Sequence, residues 1–107
     1  MSYVELNFDT IRLHHALGVD RMTRLRAKDL AANATKAIGI QVYAVKRMFD
    51  REVLFVLVQS KEEICVIYTT DIAVDSAQFT VQTIMDQMAT IEWRRPVKDE
   101  FMGLEPI

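Results

Sequence analysis

Six consecutive apolar residues, Val53 to Val58, constrain the fold of this chain more than any other feature of its sequence. The β-branched and aromatic content of this run is typical of a β-strand. Successive side chains of a strand point to opposite faces, so Leu54 and Val56 belong to one face and Phe55 to the other. A sheet with one solvated face alternates apolar and polar residues, and this strand does not. Both of its faces therefore have to be covered.

Two further segments complete an antiparallel meander of three strands around this run. The segment IQVYAVKRMF spans residues 40–49, and Asp50 and Arg51 follow it as a turn. The segment ICVIYTT spans residues 64–70 and follows a short charged loop. The β-branched and aromatic content of both segments favours strands.

A first long helix is predicted over residues 20–38. Asp20 is a candidate N-cap, and Gly39 is suited to the position just after the last helical turn. The apolar stripe is mostly alanine, which allows close packing on a sheet. Its members are Ala27, Leu30, Ala31, Ala34, Ala37 and Ile38.

A second long helix is predicted over residues 75–93. Asp75 and Gln78 have the spacing of a capping box. Apolar residues recur at helical period through this segment. Pro96 ends it. The fold class that follows is α+β: a three-stranded antiparallel meander packed with two longer helices.

The two ends of the chain carry weaker patterns. Residues 3–17 alternate in part, which indicates a short strand followed by a short helix. Residues 96–107 are polar with isolated apolar residues, as in a strap over the core or a segment that orders on a partner. We therefore expect a single α+β domain over residues 1–95 and a C-terminal strap or tail over residues 96–107.

Composition restricts the class of protein. The chain has 107 residues, the size of one domain. Its net charge is −2, which argues against a strongly basic nucleic-acid binder. A lone cysteine, Cys65, cannot form an internal disulfide, and no apolar run approaches the roughly 20 residues of a membrane helix. We therefore expect a cytoplasmic protein with no membrane partner.

No grouping of side chains predicts catalysis or metal binding. His14 and His15 are adjacent, so they share no face of a helix or strand on which to chelate a metal. Cys65 lies in an apolar strand, where a thiol behaves as a small hydrophobic group. We expect no enzyme activity, no metal and no cofactor. A small ligand-binding α+β domain built from scattered residues stays an open alternative.

Charged and aromatic side chains supply the candidate binding residues. Arg21, Arg24 and Lys28 lie in the densest basic run and are candidates for contact with an anionic partner. Aromatic residues and methionine are enriched in interface cores, which predicts anchors for a protein partner in the C-terminal part of the chain. These candidate anchors are Trp93, Phe101 and Met102.

Residues 31–50 also allow a helix-turn-helix interpretation, the motif of many small DNA-binding regulators. Gly39 would occupy the turn, and a recognition helix over residues 41–49 would direct Lys46 and Arg47 to the groove. The β-branched residues of this segment argue against a helix. Nucleic acid is therefore an alternative partner that the sequence does not favour.

The order helix, meander, helix resembles the second half of Roadblock-type dimerising modules. The run DLAANATKAIG, residues 29–39, is similar to the alanine-rich helix of that family. The resemblance implies a homodimeric scaffold for a small GTPase or a motor.

The covered central strand leads to the expected function. Either a second copy of the chain covers the second face of the sheet, or the N-terminal segment or the tail does so. A large exposed apolar face is rare in monomers. We expect a non-catalytic, self-associating protein-interaction or regulatory module, with a homodimer as the first choice of assembly.

Overall fold

A computed structural model of the chain describes residues 21–47, 51–60, 62–97 and 104–106. It has the α+β architecture that the sequence predicts, with helices packed on an antiparallel sheet. Its elements in chain order are α1 (Arg21–Ile38), β1 (Gln41–Arg47), β2 (Glu52–Val58), β3 (Ile64–Thr70), α2 (Asp71–Asp75), α3 (Val81–Thr90) and β4 (Leu104–Pro106).

The described sheet has the strand order β3-β2-β1-β4, and each neighbouring pair is antiparallel. In the register, Val58 lies opposite both Gln41 of β1 and Ile64 of β3. This confirms the predicted meander. The fourth strand, β4, comes from the segment that we expected to be a strap or tail, and it pairs with the second half of β1.

Helix α1 agrees with its prediction and lies antiparallel to β1. Gly39 has φ 84°, a left-handed conformation that favours glycine, and its N–H donates to the carbonyl of Thr35 at 3.0 Å. The N–H of Val42 donates to Thr35 Oγ1 at 3.0 Å. These bonds fix the C-terminal end of α1 beside the start of β1. The N-terminal end of α1 therefore lies toward the end of β1.

The predicted second helix is wrong over residues 76–80, where the chain turns between α2 and α3, and over residues 91–93, because α3 ends at Thr90. Asp75 ends α2 instead of capping a long helix. The N-cap of α3 is Thr80, whose N–H donates to Thr83 Oγ1 at 3.1 Å. The N–H of Gln78 donates to Ser76 Oγ at 3.1 Å. Arg26 of α1 donates hydrogen bonds to the carbonyls of Ser76 and Phe79 in this turn.

Both faces of the sheet are buried. The face under the described helices carries Phe55 and Leu57 together with the alanines of α1. The opposite face carries Val45, Leu54 and Val56, each at most 1% exposed. This burial is a property of the single chain. A second copy is therefore not required to cover the second face, which removes the reason for which we expected self-association.

The helix-turn-helix interpretation is wrong over residues 41–47, because this segment is strand β1. Its main chain pairs with β2 on one side and with β4 on the other. A segment held in a sheet on both sides cannot enter a DNA groove as a recognition helix. Residues 48–50, the remainder of the proposed motif, lie outside the described residues.

Candidate partner-binding surface

One flank of α1 is joined to the α2–α3 region by specific hydrogen bonds. Thr23 is fully buried, and its hydroxyl donates to Asp75 Oδ2 at 2.7 Å. The guanidinium of Arg26 donates to three carbonyls of the region that follows, at 2.9–3.2 Å; they belong to Val74, Ser76 and Phe79. Arg26 therefore holds the turn between α2 and α3 in place.

The sequence did not reveal this role of Arg26. It lies within the basic run, and its charge alone suggested a solvated side chain. A signal was present in its spacing: Thr23, Arg26 and Leu30 share one side of a helix. The acceptors of Arg26 lie 48–53 residues away in the chain, so no local pattern identifies them.

The other flank of α1 carries the three predicted anion-contacting residues. Arg21, Arg24 and Lys28 are spaced by three and four residues, which places them along one side of the helix. Arg21 and Lys28 are exposed, whereas Arg24 is half-buried. The Nε atom of Arg24 is buried and has no hydrogen-bond partner among the residues that the structure describes. Contact of these side chains with an anionic partner stays a prediction.

Lys46 lies on the face of the sheet on which α1 packs. It shares its side of β1 with Val42 and Ala44, which belong to the core under α1. Lys46 is only 3% exposed, so it is not the groove-facing residue of the helix-turn-helix interpretation. Among the described residues, none accepts a hydrogen bond from Lys46 or pairs with it in a salt bridge. We name Arg21, Arg24, Lys28 and Lys46 the basic flank.

The N-terminal end of α1 adds to the positive charge of the basic flank. The first turn contains Arg21 and Arg24 and no acidic residue. The N-terminal end of a helix carries a positive partial charge from its free N–H groups, so acidic residues are usually preferred there. Arg21, Arg24 and the helix dipole therefore contribute charge of the same sign, whereas Asp20, the predicted N-cap, lies outside the described residues.

Exposed apolar side chains lie on the two adjoining helices. Met22 is 70% exposed, Leu25 is 48% exposed and Ile72 is 76% exposed. The first two belong to α1 and the third to α2, and the Thr23–Asp75 hydrogen bond joins these helices. We name these three side chains the apolar end. The sequence could have indicated Met22 and Leu25, because they fall outside the buried stripe of α1.

The predicted C-terminal anchors are placed only in part. Trp93 is half-buried and packs against the core under the helices, together with Ile91. The main chain of Arg94 next to it is bonded in both directions to Ile64 of β3, at 2.8 and 2.9 Å. Phe101 and Met102 lie outside the described residues. The anchoring role of all three side chains stays a prediction.

The described side chains offer little for catalysis. Cys65 is fully buried, and burial raises the pKa of its thiol, an effect that the Arg94 guanidinium opposes only in part. A nucleophilic thiolate needs the opposite shift. Over the described ranges, no three His, Cys, Asp or Glu side chains are grouped as a metal site, and no helix is long and apolar enough to cross a membrane. His14 and His15 lie outside these ranges.

No family model, no curated protein and no solved structure matches this chain. The resemblance to Roadblock-type modules gains no support from these comparisons. The basic flank and the apolar end are the features of the described residues that bear on function.

Proposed function

We propose that this chain is a non-catalytic protein-interaction module of the cytoplasm. Its partner is an acidic segment of another protein that also carries apolar side chains. The observation that carries the proposal is the exposure of Met22 and Ile72, 70% and 76%, on two helices that are hydrogen-bonded to each other. The binding surface consists of the apolar end together with the neighbouring basic flank.

The apolar end supplies the binding energy in this proposal. Full burial of a methionine or isoleucine side chain is worth about 1.5–3 kcal/mol. Methionine is enriched in interface cores, and charged residues are depleted there. Met22, Leu25 and Ile72 match this composition, with arginines and a lysine next to them rather than among them.

The basic flank supplies the choice of partner. Arg21 and Lys28 are exposed, so they attract an acidic segment and repel a basic one. Charged groups at the rim of an interface act mainly on the association rate and on its salt dependence. Binding should therefore weaken as the salt concentration rises.

The surface is held in position before a partner arrives. The Thr23–Asp75 bond and the bonds from Arg26 fix α1 against α2 and the following turn. A preorganised surface loses less conformational entropy on binding, which favours affinity. The two surface patches lie on rigid helices rather than on a free loop.

A second copy of the chain is the second candidate partner, and the distribution of charge favours it. Exposed Glu63 and Glu92 lie near the start of β3, at the same end of the sheet as the start of β1. The basic flank lies near the opposite end of α1. A head-to-tail contact would bring Glu63 and Glu92 of one copy to the basic flank of another, while Arg95 at this end of the sheet is paired with Glu62.

Selection from a displayed peptide library tests the proposal on the purified full chain. Peptides that combine acidic and apolar residues should be enriched over basic ones. The Met22→Ser, Ile72→Ser double variant should weaken binding of the selected peptides at least about tenfold, since the apolar contact is lost. Val97→Ser is the matched control, because Val97 is 62% exposed and follows the Arg94 bridge to β3.

Light scattering at two protein concentrations separates the two candidate partners. A monomer that enriches acidic peptides supports a distinct protein partner. A dimer that the Met22→Ser, Ile72→Ser variant dissociates shows that a second copy occupies the surface. Peptides without acidic residues, or binding that tolerates this variant, overturn the proposed surface.

A further inference from the structure

We infer that two copies of this chain associate through their helices, with the basic side of α1 in each copy lying against the acidic side of α3 in the other. The contact does not use the second face of the sheet. It covers part of the surface proposed above for an acidic partner, so the second copy regulates access to that surface. In this respect alone the inference rests on the proposed function.

The first argument is the separation of charge between the helices. Helix α1 contains five basic residues and one acidic residue, Asp29. Residues 71–92, which include α2 and α3, contain no lysine or arginine and four acidic residues. These are Asp71, Asp75, Asp86 and Glu92. One helix of the layer on the sheet is therefore basic and the other is acidic.

The second argument is the direction in which these charges point. Three exposed cations of α1 share one side of the helix, away from the side on which its alanines are buried. They are Arg21, Lys28 and Lys36, and we name them the basic stripe. On α3, Asp86 is exposed and points away from the sheet, whereas Ile84 is buried toward it. Both sets of charges therefore lie on the outer surface of the helix layer.

These outer charges are available for a contact with another molecule. The salt bridges between described residues join Arg51 to Asp71 and Arg95 to Glu62, and none includes the basic stripe or Asp86. The described hydrogen bond to the Asp86 side chain comes from the neighbouring Gln82, at 2.8 Å. This bond holds the carboxylate in place without neutralising its charge.

The third argument is that α1 and α3 run in the same direction along one face of the sheet. Near the start of α1, Arg26 donates to the carbonyl of Phe79, two residues before α3. The other end of α1 lies beside the start of β1. Arg94, which follows α3, is bonded to Ile64 at this same end of the sheet. The basic and acidic helices are therefore parallel neighbours.

Parallel helices of opposite charge form a surface that is complementary to itself. A two-fold axis along the helix direction places α1 of one copy on α3 of the other, and α3 on α1. Each attraction between opposite charges then forms twice, and the assembly closes as a dimer. Lysine and aspartate at exposed positions add little affinity per pair, but they fix which surfaces meet.

This dimer regulates the proposed binding surface by competition. Arg21 and Lys28 belong both to the basic flank and to the basic stripe, so α3 of a second copy and an acidic partner need the same cations. Exposed ion pairs are weak, so a partner that also buries the apolar end displaces the second copy. The free protein thus keeps its cations covered by its own acidic helix until such a partner binds.

Sedimentation velocity of the full chain at several concentrations and salt levels tests the dimer. The wild type should shift from monomer to dimer as its concentration rises, and sodium chloride should weaken the association. Asp86→Lys should weaken it at least about tenfold, because the reversed charge acts at two contacts. The Lys28→Glu, Lys36→Glu variant should have the same effect. All three side chains are exposed, so the unfolding temperature should change little.

Mixing the two charge-reversed proteins gives the decisive result. Each should be a monomer by itself, whereas an equimolar mixture should form a dimer, because charges of opposite sign then face each other at both contacts. A mixture that stays monomeric overturns the inference. So does a wild type that stays monomeric at every concentration, or one that grows beyond a dimer.

Glu63→Lys is the matched control, because Glu63 is exposed and lies outside the helices. This variant should dimerise as the wild type does. Weaker association of Glu63→Lys, with none lost in Asp86→Lys, would assign the contact to a head-to-tail arrangement and overturn the inference.

A selected acidic peptide tests the competition. Its addition should dissociate the wild-type dimer, and binding to an intact dimer would overturn the regulation. The proposed function can fail by itself, because a library that enriches no acidic peptide leaves the mixing result unchanged.

Discussion

The two flanks of α1 differ in how their arginines are accommodated. Arg26 donates to the carbonyls of Val74, Ser76 and Phe79, whereas the Nε atom of Arg24, two residues earlier, is buried without an acceptor. Arg26 meets a turn between two helices, where carbonyls are free to accept. Arg24 is half-buried on the other flank, and its buried Nε atom finds no acceptor among the described residues.

This difference separates structural cations from binding cations. A guanidinium whose acceptors lie in its own chain contributes to folding, and its replacement has to cost stability. A cation that is buried without acceptors costs stability in the free protein, and such a group persists where something outside the chain uses it. The two flanks of one helix can therefore be tested against each other.

The largest expected effect is on the structural flank. Arg26→Met removes three charge-assisted hydrogen bonds and leaves carbonyls of the α2–α3 turn without donors. We expect the free energy of unfolding to fall by about 3 kcal/mol, measured by urea denaturation. Arg24→Met is the matched control on the other flank and should cause no loss. Equal losses for both variants would remove the distinction between the flanks.

A smaller effect is expected where the same flank is joined to α2. Thr23→Val keeps the size of this buried side chain and removes its hydrogen bond to Asp75. The free energy of unfolding should fall by about 1–2 kcal/mol. Thr90→Val is the control, because the Thr90 hydroxyl bonds only to the nearby Gln87 carbonyl in an exposed position. Thr23→Val with wild-type stability would show that this bond does not hold α1 to α2.

The smallest expected effect is the interaction free energy between Arg24 and Lys46. In a double-mutant cycle, Arg24→Met and Lys46→Met should each relieve the repulsion between the two cations. The coupling free energy should be about 0.5–1 kcal/mol, of the sign expected for repulsion. It should decrease as sodium chloride is added. Strictly additive effects at low salt would show that the two charges do not interact.

Local patterns predicted most of the fold. The apolar run of β2 and the glycine after α1 are signals within a few residues, and both agree with the structure. The break between α2 and α3 was missed because it depends on Arg26, about fifty residues earlier in the chain. Strand β4 was also missed, because LEP contains no strand pattern and is held in place by pairing with β1.

The candidate surface was less predictable than the fold. Helical spacing alone places Arg21, Arg24 and Lys28 on one flank. The position of Lys46 depends on how β1 lies under α1, and Ile72 joins the apolar end only because α2 is a separate helix. Both positions depend on the tertiary structure, so the sequence alone shows no pattern that predicts them.

The two edges of the described sheet also bear on aggregation. On the side of β3, Arg94 already uses the N–H and the carbonyl that Ile64 turns away from β2. On the side of β1, the added strand β4 is three residues long and ends in Pro106, which has no N–H to offer an incoming strand. Short, proline-containing or occupied edges are poor templates for the addition of further strands. These features hinder an incoming strand at Ile64 and at Pro106 and so oppose the edge-to-edge stacking that leads to fibrils.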